Sequence, residues 1–236
     1  SYQFIKNSQL KVKSYDLRVK ILNKIDGLSK FNRENYSAAY AVCKELGLSD
    51  NQILKAMQNF KLPPGRMELV YNGPFKVIID FAHTPNAFKQ LLPEIRKNYL
   101  LASGKLIHVF GSAGLRDASK RPLMGEVSAK FADMIILTEE DYRTEDLYKI
   151  CQQIEIGILK ERLKFVKEKL FKRNDQKIYT IIDNREDAIK KAINIAKKND
   201  VVVITGKAHE KSLCRGKIEY PWDEFATVLK YVNLRS

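Results

Sequence analysis

At 236 residues, the chain is long enough for one full domain and a piece of another. Its 44% hydrophobic and 10% aromatic content excludes a disordered protein, and no apolar run approaches the ~20 residues that span a bilayer. A formal net charge of +14 admits a nucleic-acid partner, but no nucleic-acid motif accompanies it, so the charge reads as a lysine-rich, solvated surface. Cys43, Cys151 and Cys214 are widely spaced, as reduced thiols of a cytoplasmic protein would be. Neither they nor His83, His108 and His209 show metal-ligand spacing, so no metal site is expected. The N-terminus has no signal-peptide core and no initiating Met, which reads as a cut or incomplete chain.

Residues 1–62 differ in pattern from the rest. Leu17-Arg18-Val19-Lys20-Ile21 alternates like a half-buried strand. A helix near Asn35 to Leu46 carries Tyr36, Ala39, Tyr40 and Cys43 on one face and stops at Gly47. A second helix opens with the capping-box pair Ser49 and Gln52 and is expected to bury Ile53, Leu54, Met57 and Phe60. Pro63-Pro64-Gly65 breaks the chain, and a domain boundary is placed there, with residues 63–236 forming the second domain. Apolar strands then follow at Val77-Ile78-Ile79, Leu106 to Phe110, Met134 to Leu137, Tyr179 to Ile182 and Val201 to Ile204, separated by helical patterns. This predicts an α/β domain with a mostly parallel sheet covered on both faces. Lys160 to Arg173 reads as an amphipathic helix, with Leu163, Val166 and Leu170 at helical spacing.

Four strand ends carry polar groups, and ligands of open α/β sheets bind at the carboxyl ends of strands. The first is Asp80-Phe81-Ala82-His83-Thr84-Pro85-Asn86, where Thr84 caps the next helix and Pro85 takes its first position. Asp80 is either a site group or a structural carboxylate bonded to backbone amides. The second loop, Gly111 to Pro122, offers glycines for close backbone approach, then Arg116, Asp117, Lys120 and Arg121, as a small multiply charged ligand requires. The third, Thr138 to Asp146, is acidic, and its bland alternative is a solvated turn capped by Thr144. The fourth is Thr205-Gly206-Lys207-Ala208-His209-Glu210, whose alternative is an ordinary strand-to-helix turn. Each loop alone favours the bland alternative, but four at one sheet edge favour a site.

The ordered motifs G-R-M-E, D-F-A-H-T-P-N, F-G-S-A-G-L-R-D-x-x-K-R-P-L-M-G, E-D-Y-R-T-E-D and G-K-A-H-E resemble the C-terminal part of a Mur ligase of the MurE type, the UDP-N-acetylmuramoyl-dipeptide:amino-acid ligases of peptidoglycan synthesis. Phe31-Asn32-Arg33-Glu34-Asn35 resembles the end of that family's central ATPase domain, and Pro221-Trp222-Asp223-Glu224 also fits. The resemblance implies a Rossmann-like amino-acid-binding domain over 63–236, preceded over 1–62 by the C-terminal remnant of an α/β ATPase domain. No G-x-x-G-K-[ST] loop occurs, nor the segment bearing the family's carbamylated, magnesium-binding lysine. The chain therefore reads as the C-terminal part of such an enzyme, inactive by itself, with the Mg2+ ligands expected upstream.

The chemistry implied is activation of a muramoyl-peptide carboxylate by ATP, attack on the acyl phosphate by the amine of a diamino acid, and collapse to amide and phosphate. Such chemistry needs charge neutralisation and positioning more than a protein nucleophile. By the resemblance, Asn35, Arg66, Asp80 and His83 belong to the ATP site. Lys120 and Arg121 either face phosphates or begin the next helix. Arg116, Arg143, Gly206 and Glu210 match positions that bind meso-diaminopimelate, with Arg gripping a carboxylate and Glu taking an ammonium. The chain departs from the usual D-N-P-R by reading Glu140-Asp141-Tyr142-Arg143, and Ala208 replaces a usual Gly. Asp141 should repel a carboxylate and attract an ammonium. Arg143 favours diaminopimelate over lysine, while Asp141 leaves the choice open. Rival readings are a cyanophycin- or folylpolyglutamate-type ligase and a non-catalytic basic module for nucleotide or nucleic acid.

Overall fold

The computed structural model describes residues 30–235. The chain divides into two compact units between Leu62 and Pro63. The alternating segment Leu17–Ile21 lies outside the described residues.

In the first unit, helix α1 (Lys30–Glu45) and helix α2 (Asp50–Asn59) pack through Tyr36, Ile53 and Met57, with Tyr40 and Cys43 at the margin. Gly47, at φ +83°, turns the chain between them. Ser49 and Gln52 form the expected reciprocal capping box. Leu54 is only half-buried and outside this cluster, and two expected contacts fail outright. Ala39 is exposed. Phe60 lies beyond the last turn in extended backbone, where it is exposed and only edges onto Tyr36.

The second unit holds a seven-stranded sheet in the order β1-β2-β7-β3-β4-β6-β5. Its strands are β1 (Glu68–Asn72), β2 (Lys76–Asp80), β3 (Leu106–Phe110), β4 (Met134–Leu137), β5 (Lys164–Phe165), β6 (Ile178–Ile181) and β7 (Val201–Thr205). All pairs are parallel except β1–β2. Continuous apolar runs such as Met134–Leu137 are buried throughout because helices cover both faces. Helices α3 (Pro85–Tyr99), α4 (Lys120–Phe131) and α5 (Leu147–Lys160) pack Phe88, Leu92, Met124 and Ile154 against one face. Helices α6 (Arg185–Ile195) and α7 (Glu224–Asn233) pack Ile189, Ile193 and Val228 against the other. A hairpin of β8 (Ser212–Arg215) and β9 (Ile218–Pro221) stands apart from the main sheet.

The helix expected over Lys160–Arg173 is absent. The chain leaves α5 at Lys160, makes β5, and passes through a single 3-10 turn at Glu168–Leu170. Leu163 and Phe171 are the residues it buries, so the helical spacing was coincidental. Thr144 caps nothing, since α5 opens at Asp146, whose carboxylate accepts from the Lys149 amide. No helix follows β7, because the chain turns into β8 instead.

Candidate functional site

Strands β2, β7, β3 and β4 are adjacent and parallel, so the loops leaving them share one edge of the sheet. After β2, Thr84 caps α3 and Pro85 takes its first turn. Asp80 is buried, and its two carboxylate oxygens accept from the amides of Met67 and Ala82, each at 2.7 Å. Burial pushes its carboxyl above the usual range, while those amides and Arg66 pull the other way. The Arg66 guanidinium lies 5.3 Å from the Phe81 ring centroid, and the Phe81 ring also meets His83 and His209.

Helix α4 begins at Lys120, so Lys120 and Arg121 both belong to its first turn. The Lys120 ammonium donates to the His83 carbonyl at 2.9 Å. Arg121 is buried, and the two terminal nitrogens of its guanidinium are occupied by Glu145, Gln153 and the Ala113 carbonyl, while its Nε has no partner. Arg116 stands exposed, beside the left-handed Leu115. Gly114 is required here: a Cβ would come within 2.0 Å of the Tyr142 carbonyl oxygen.

The β4 loop and the β7 loop are joined by charge. The buried Lys207 ammonium lies 2.8 Å from Asp141 and 2.6 Å from Glu210. Burial works against that charge, but the two carboxylates outweigh it and hold the Lys207 pKa above the ordinary value. Asp141 also accepts from the Cys214 amide and lies 3.7 Å from Arg143. Arg143, at φ 52°, donates to the carbonyls of Gly114 and Asp141. Arg143, Asp141, Lys207 and Glu210 thus form one alternating chain of charge. Of the residues expected in an amino-acid pocket, the structure links Asp141, Arg143 and Glu210 through Lys207, which the sequence reading did not single out. Its partner Asp141 lies 66 positions away, so no local pattern marked it.

Gly206 has φ +112°, and a Cβ there would approach Glu140 to 2.6 Å. Glu140 was also missed. It is buried, its Oε2 has no hydrogen-bond partner, and burial pushes its carboxyl above the usual range. Glu139 is taken up structurally by Arg215 and by the Arg185 amide, tying the β8–β9 hairpin and α6 to this edge. The buried Arg185–Glu224 pair, at 2.7 Å, locks α6 to α7. Asn35 is exposed on α1 in the other unit. Among the described residues, no three His, Cys, Asp or Glu side chains gather as a metal would need, and no helix is long and apolar enough to cross a membrane.

A parallel sheet whose carboxyl edge bears such loops defines a Rossmann-like ligand-binding domain. Residues 65–208 match the family model described as Mur ligase, glutamate ligase domain. The chain belongs to the Mur ligase family. It is 39% identical over 206 residues to the UDP-N-acetylmuramoyl-L-alanyl-D-glutamate–2,6-diaminopimelate ligase of Aquifex aeolicus, covering 87% of this chain and 38% of that protein. It is 40% identical over 197 residues to the UDP-N-acetylmuramyl-tripeptide synthetase of a Roseiflexus species, covering 83% and 36%. The chain therefore spans well under half the length of these relatives. A solved UDP-N-acetylmuramoyl-L-alanyl-D-glutamate–2,6-diaminopimelate ligase superposes with a TM-score of 0.63 at 29% identity, covering 88% of this chain and 39% of the other. A folylpolyglutamate/dihydrofolate synthase of Yersinia pestis, solved with AMPPNP and a manganese ion, shares the fold at 19% identity, with a TM-score of 0.54 and coverage of 90% and 42%.

Proposed function

We propose that this chain is the C-terminal part of a cytoplasmic, MurE-type, ATP-dependent ligase that adds a diamino acid, meso-diaminopimelate in preference to L-lysine, to UDP-N-acetylmuramoyl-L-Ala-D-Glu. In this reading, residues 1–62 end the ATP-binding domain and residues 63–236 bind the incoming amino acid. Asn35, Arg66, Asp80 and His83 serve the nucleotide, and Lys120 faces its phosphates or orders the His83 loop. Mg2+ would neutralise phosphate charge in such a reaction; among the described residues no group of ligands gathers for it.

The observation that carries the reading is the charge chain Arg143–Asp141–Lys207–Glu210, with Arg116 exposed on a neighbouring loop. A ligand end bearing both a carboxylate and an ammonium can join that chain without leaving net charge behind: its carboxylate meets Arg143 and Arg116, and its ammonium meets Glu210. Lysine's lone distal ammonium would instead add a net positive charge to a chain whose own four charges already cancel. The amine at the amino acid's reacting end attacks the acyl phosphate. The tetrahedral adduct sheds phosphate and the nitrogen loses its proton. The protein's part is orientation and charge balance.

The test is amide formation by the full-length enzyme with each amino acid. Truncating one member of a buried charge pair costs ~2–5 kcal/mol, so Arg143→Ala should lower kcat/KM for diaminopimelate by roughly 30- to 4,000-fold. Lysine should suffer much less. A wild-type preference for lysine, or equal loss with both substrates, defeats the reading.

A further inference from the structure

The sheet ends at β5, and around this edge the surface changes character. Within fifteen positions, Ile156 and Leu159 on the last turns of α5, Phe165 on β5 and Leu170 on the 3-10 turn are 55%, 54%, 51% and 69% exposed. Between and beside them stand Arg162, Lys164, Lys167, Lys169 and Lys172, all exposed. The ion pairs of this region use other groups: Lys130 and Lys160 hold Glu126, Lys130 also faces Glu161, and Arg173 holds Asp200. None of the five cations enters an ion pair among the described residues, and the nearby carboxylates left over are Glu168 and Asp175. Phe165 edges onto the buried Tyr179 ring yet keeps half its surface free, and the three aliphatic side chains stand exposed among lysines that no ion pair neutralises.

We propose that this edge, Ile156 to Lys172, is a docking surface for an anionic lipid bilayer. Charge complementarity selects the partner: five uncompensated cations call for a dense anionic surface. The exposed apolar groups select a bilayer over a nucleic acid. Three of the four are aliphatic and offer no ring for base stacking, but all four can enter the boundary between headgroups and acyl chains. Long lysine stems suit the same geometry, lying along apolar material while the ammonium reaches phosphate. Strand pairing with a second copy is disfavoured, since lysines on a short edge strand oppose it. The surface is separate from the four site loops, so docking leaves the carboxyl edge of β2, β7, β3 and β4 open. The inference does not rest on the proposed enzymatic activity.

The experiment is co-sedimentation of the intact chain with phosphatidylglycerol vesicles and with phosphatidylcholine vesicles, at about 50 mM and about 500 mM salt. The expected result is retention by the anionic vesicles alone, strongest at low salt. Each lysine near an anionic surface contributes about fivefold in partitioning, so Lys164→Ala/Lys167→Ala/Lys169→Ala should weaken it about 100-fold. The control Lys97→Ala/Lys198→Ala/Lys217→Ala removes the same charge from other exposed positions and should matter little. Leu170→Ser should weaken retention about tenfold through lost apolar burial. All the substituted side chains are exposed, and an unchanged melting curve verifies folding. The proposal fails if anionic vesicles do not retain the chain, or if the triple variant behaves like its control. It also fails if Leu170→Ser is without effect and RNA binds as tightly as vesicles, which would mark a simple polyanion site.

Discussion

The two edges of the one sheet differ in the buried polar groups they leave unpaired. At the amino edge, Asp133 accepts from the Leu106 amide and pairs with Arg96, while Asp200 accepts from the amides of Lys105 and Lys197 and pairs with Arg173. These carboxylates close turns and have their partners. At the carboxyl edge Asp80 and Glu139 are satisfied in the same way, but Glu140 Oε2 and Ser112 Oγ have no partner. Left-handed backbone occurs at both edges, at Met67, Leu115, Arg143 and Ala208 on one and at Arg162 and Asn199 on the other. Unsatisfied buried polar atoms cost free energy, and they persist where a fold reserves groups for a ligand. The same strands thus end in a structural edge and in a working edge.

The largest effect should come from the structural edge. Asp200→Ala removes a buried carboxylate, leaving the partly buried amides of Lys105 and Lys197 without their acceptor and the Arg173 charge uncompensated. A loss of about 3–5 kcal/mol is expected, read by urea denaturation. A cost below about 1 kcal/mol would mean that this carboxylate is not structural, and the contrast between the edges would collapse.

Between the edges, His108 is fully buried on β3, with Ser128 and Thr205 on its ring nitrogens. Burial, with help from Arg185, pulls its pKa from 6.5 down to about 3. A depressed folded pKa means that the unfolded chain takes up the proton first, so stability is intact above pH 6.5 and falls below it. The loss should approach ~1.4 kcal/mol per pH unit toward pH 4. His108→Gln should flatten that slope, as measured by denaturation across the range. An unchanged slope would assign the acid sensitivity to the edges' carboxylates instead.

The sequence made the interior of this domain legible and much of its rim illegible, for physical reasons. Strands such as Leu106–Phe110 and Val201–Thr205 are apolar but for His108 and Thr205 because both faces are covered, and such runs stand out in a chain this polar. Strand β1 went unseen because Glu68-Leu69-Val70-Tyr71-Asn72 is a half-exposed edge strand with a register shift. The false helix over 160–173 rested on the spacing of Leu163, Val166 and Leu170, yet Leu170 faces solvent. Asp141, Arg143 and Glu210 were visible as charged loop residues. Lys207 and Glu140 were not, because their importance lies in contacts between loops far apart in sequence.

Two glycines sharpen the contrast by about a kcal/mol or two. Gly114→Ala drives a Cβ into the Tyr142 carbonyl, between two loops of the working edge, and should cost about 1–3 kcal/mol. Gly216→Ala, at φ +64° with open space around it, should cost only the ~1 kcal/mol of left-handed backbone. Equal costs in denaturation would mean that the working edge yields as freely as an exposed turn.

The smallest effect on stability should come from Glu140, at the centre of the working edge. Its carboxyl is raised above 4.5 chiefly by burial, against the pull of Arg185, Lys120, His83 and Lys207. A raised folded pKa in an acid carries the opposite sign to His108. The folded state resists ionisation, so the group costs stability at neutral pH, and that cost is relieved as the pH falls through the folded pKa. Glu140→Gln keeps the shape and removes the charge. It should therefore leave the domain as stable as wild type, or about 0–1 kcal/mol more stable, at pH 7. The gain should shrink as the pH falls and the wild-type carboxyl takes up its own proton. A loss above about 2 kcal/mol at pH 7 would show that Glu140 is held by its cationic neighbours as a structural ion. The working edge would then be built on the same terms as the amino edge, and the unpaired oxygen would no longer mark a group kept for a ligand.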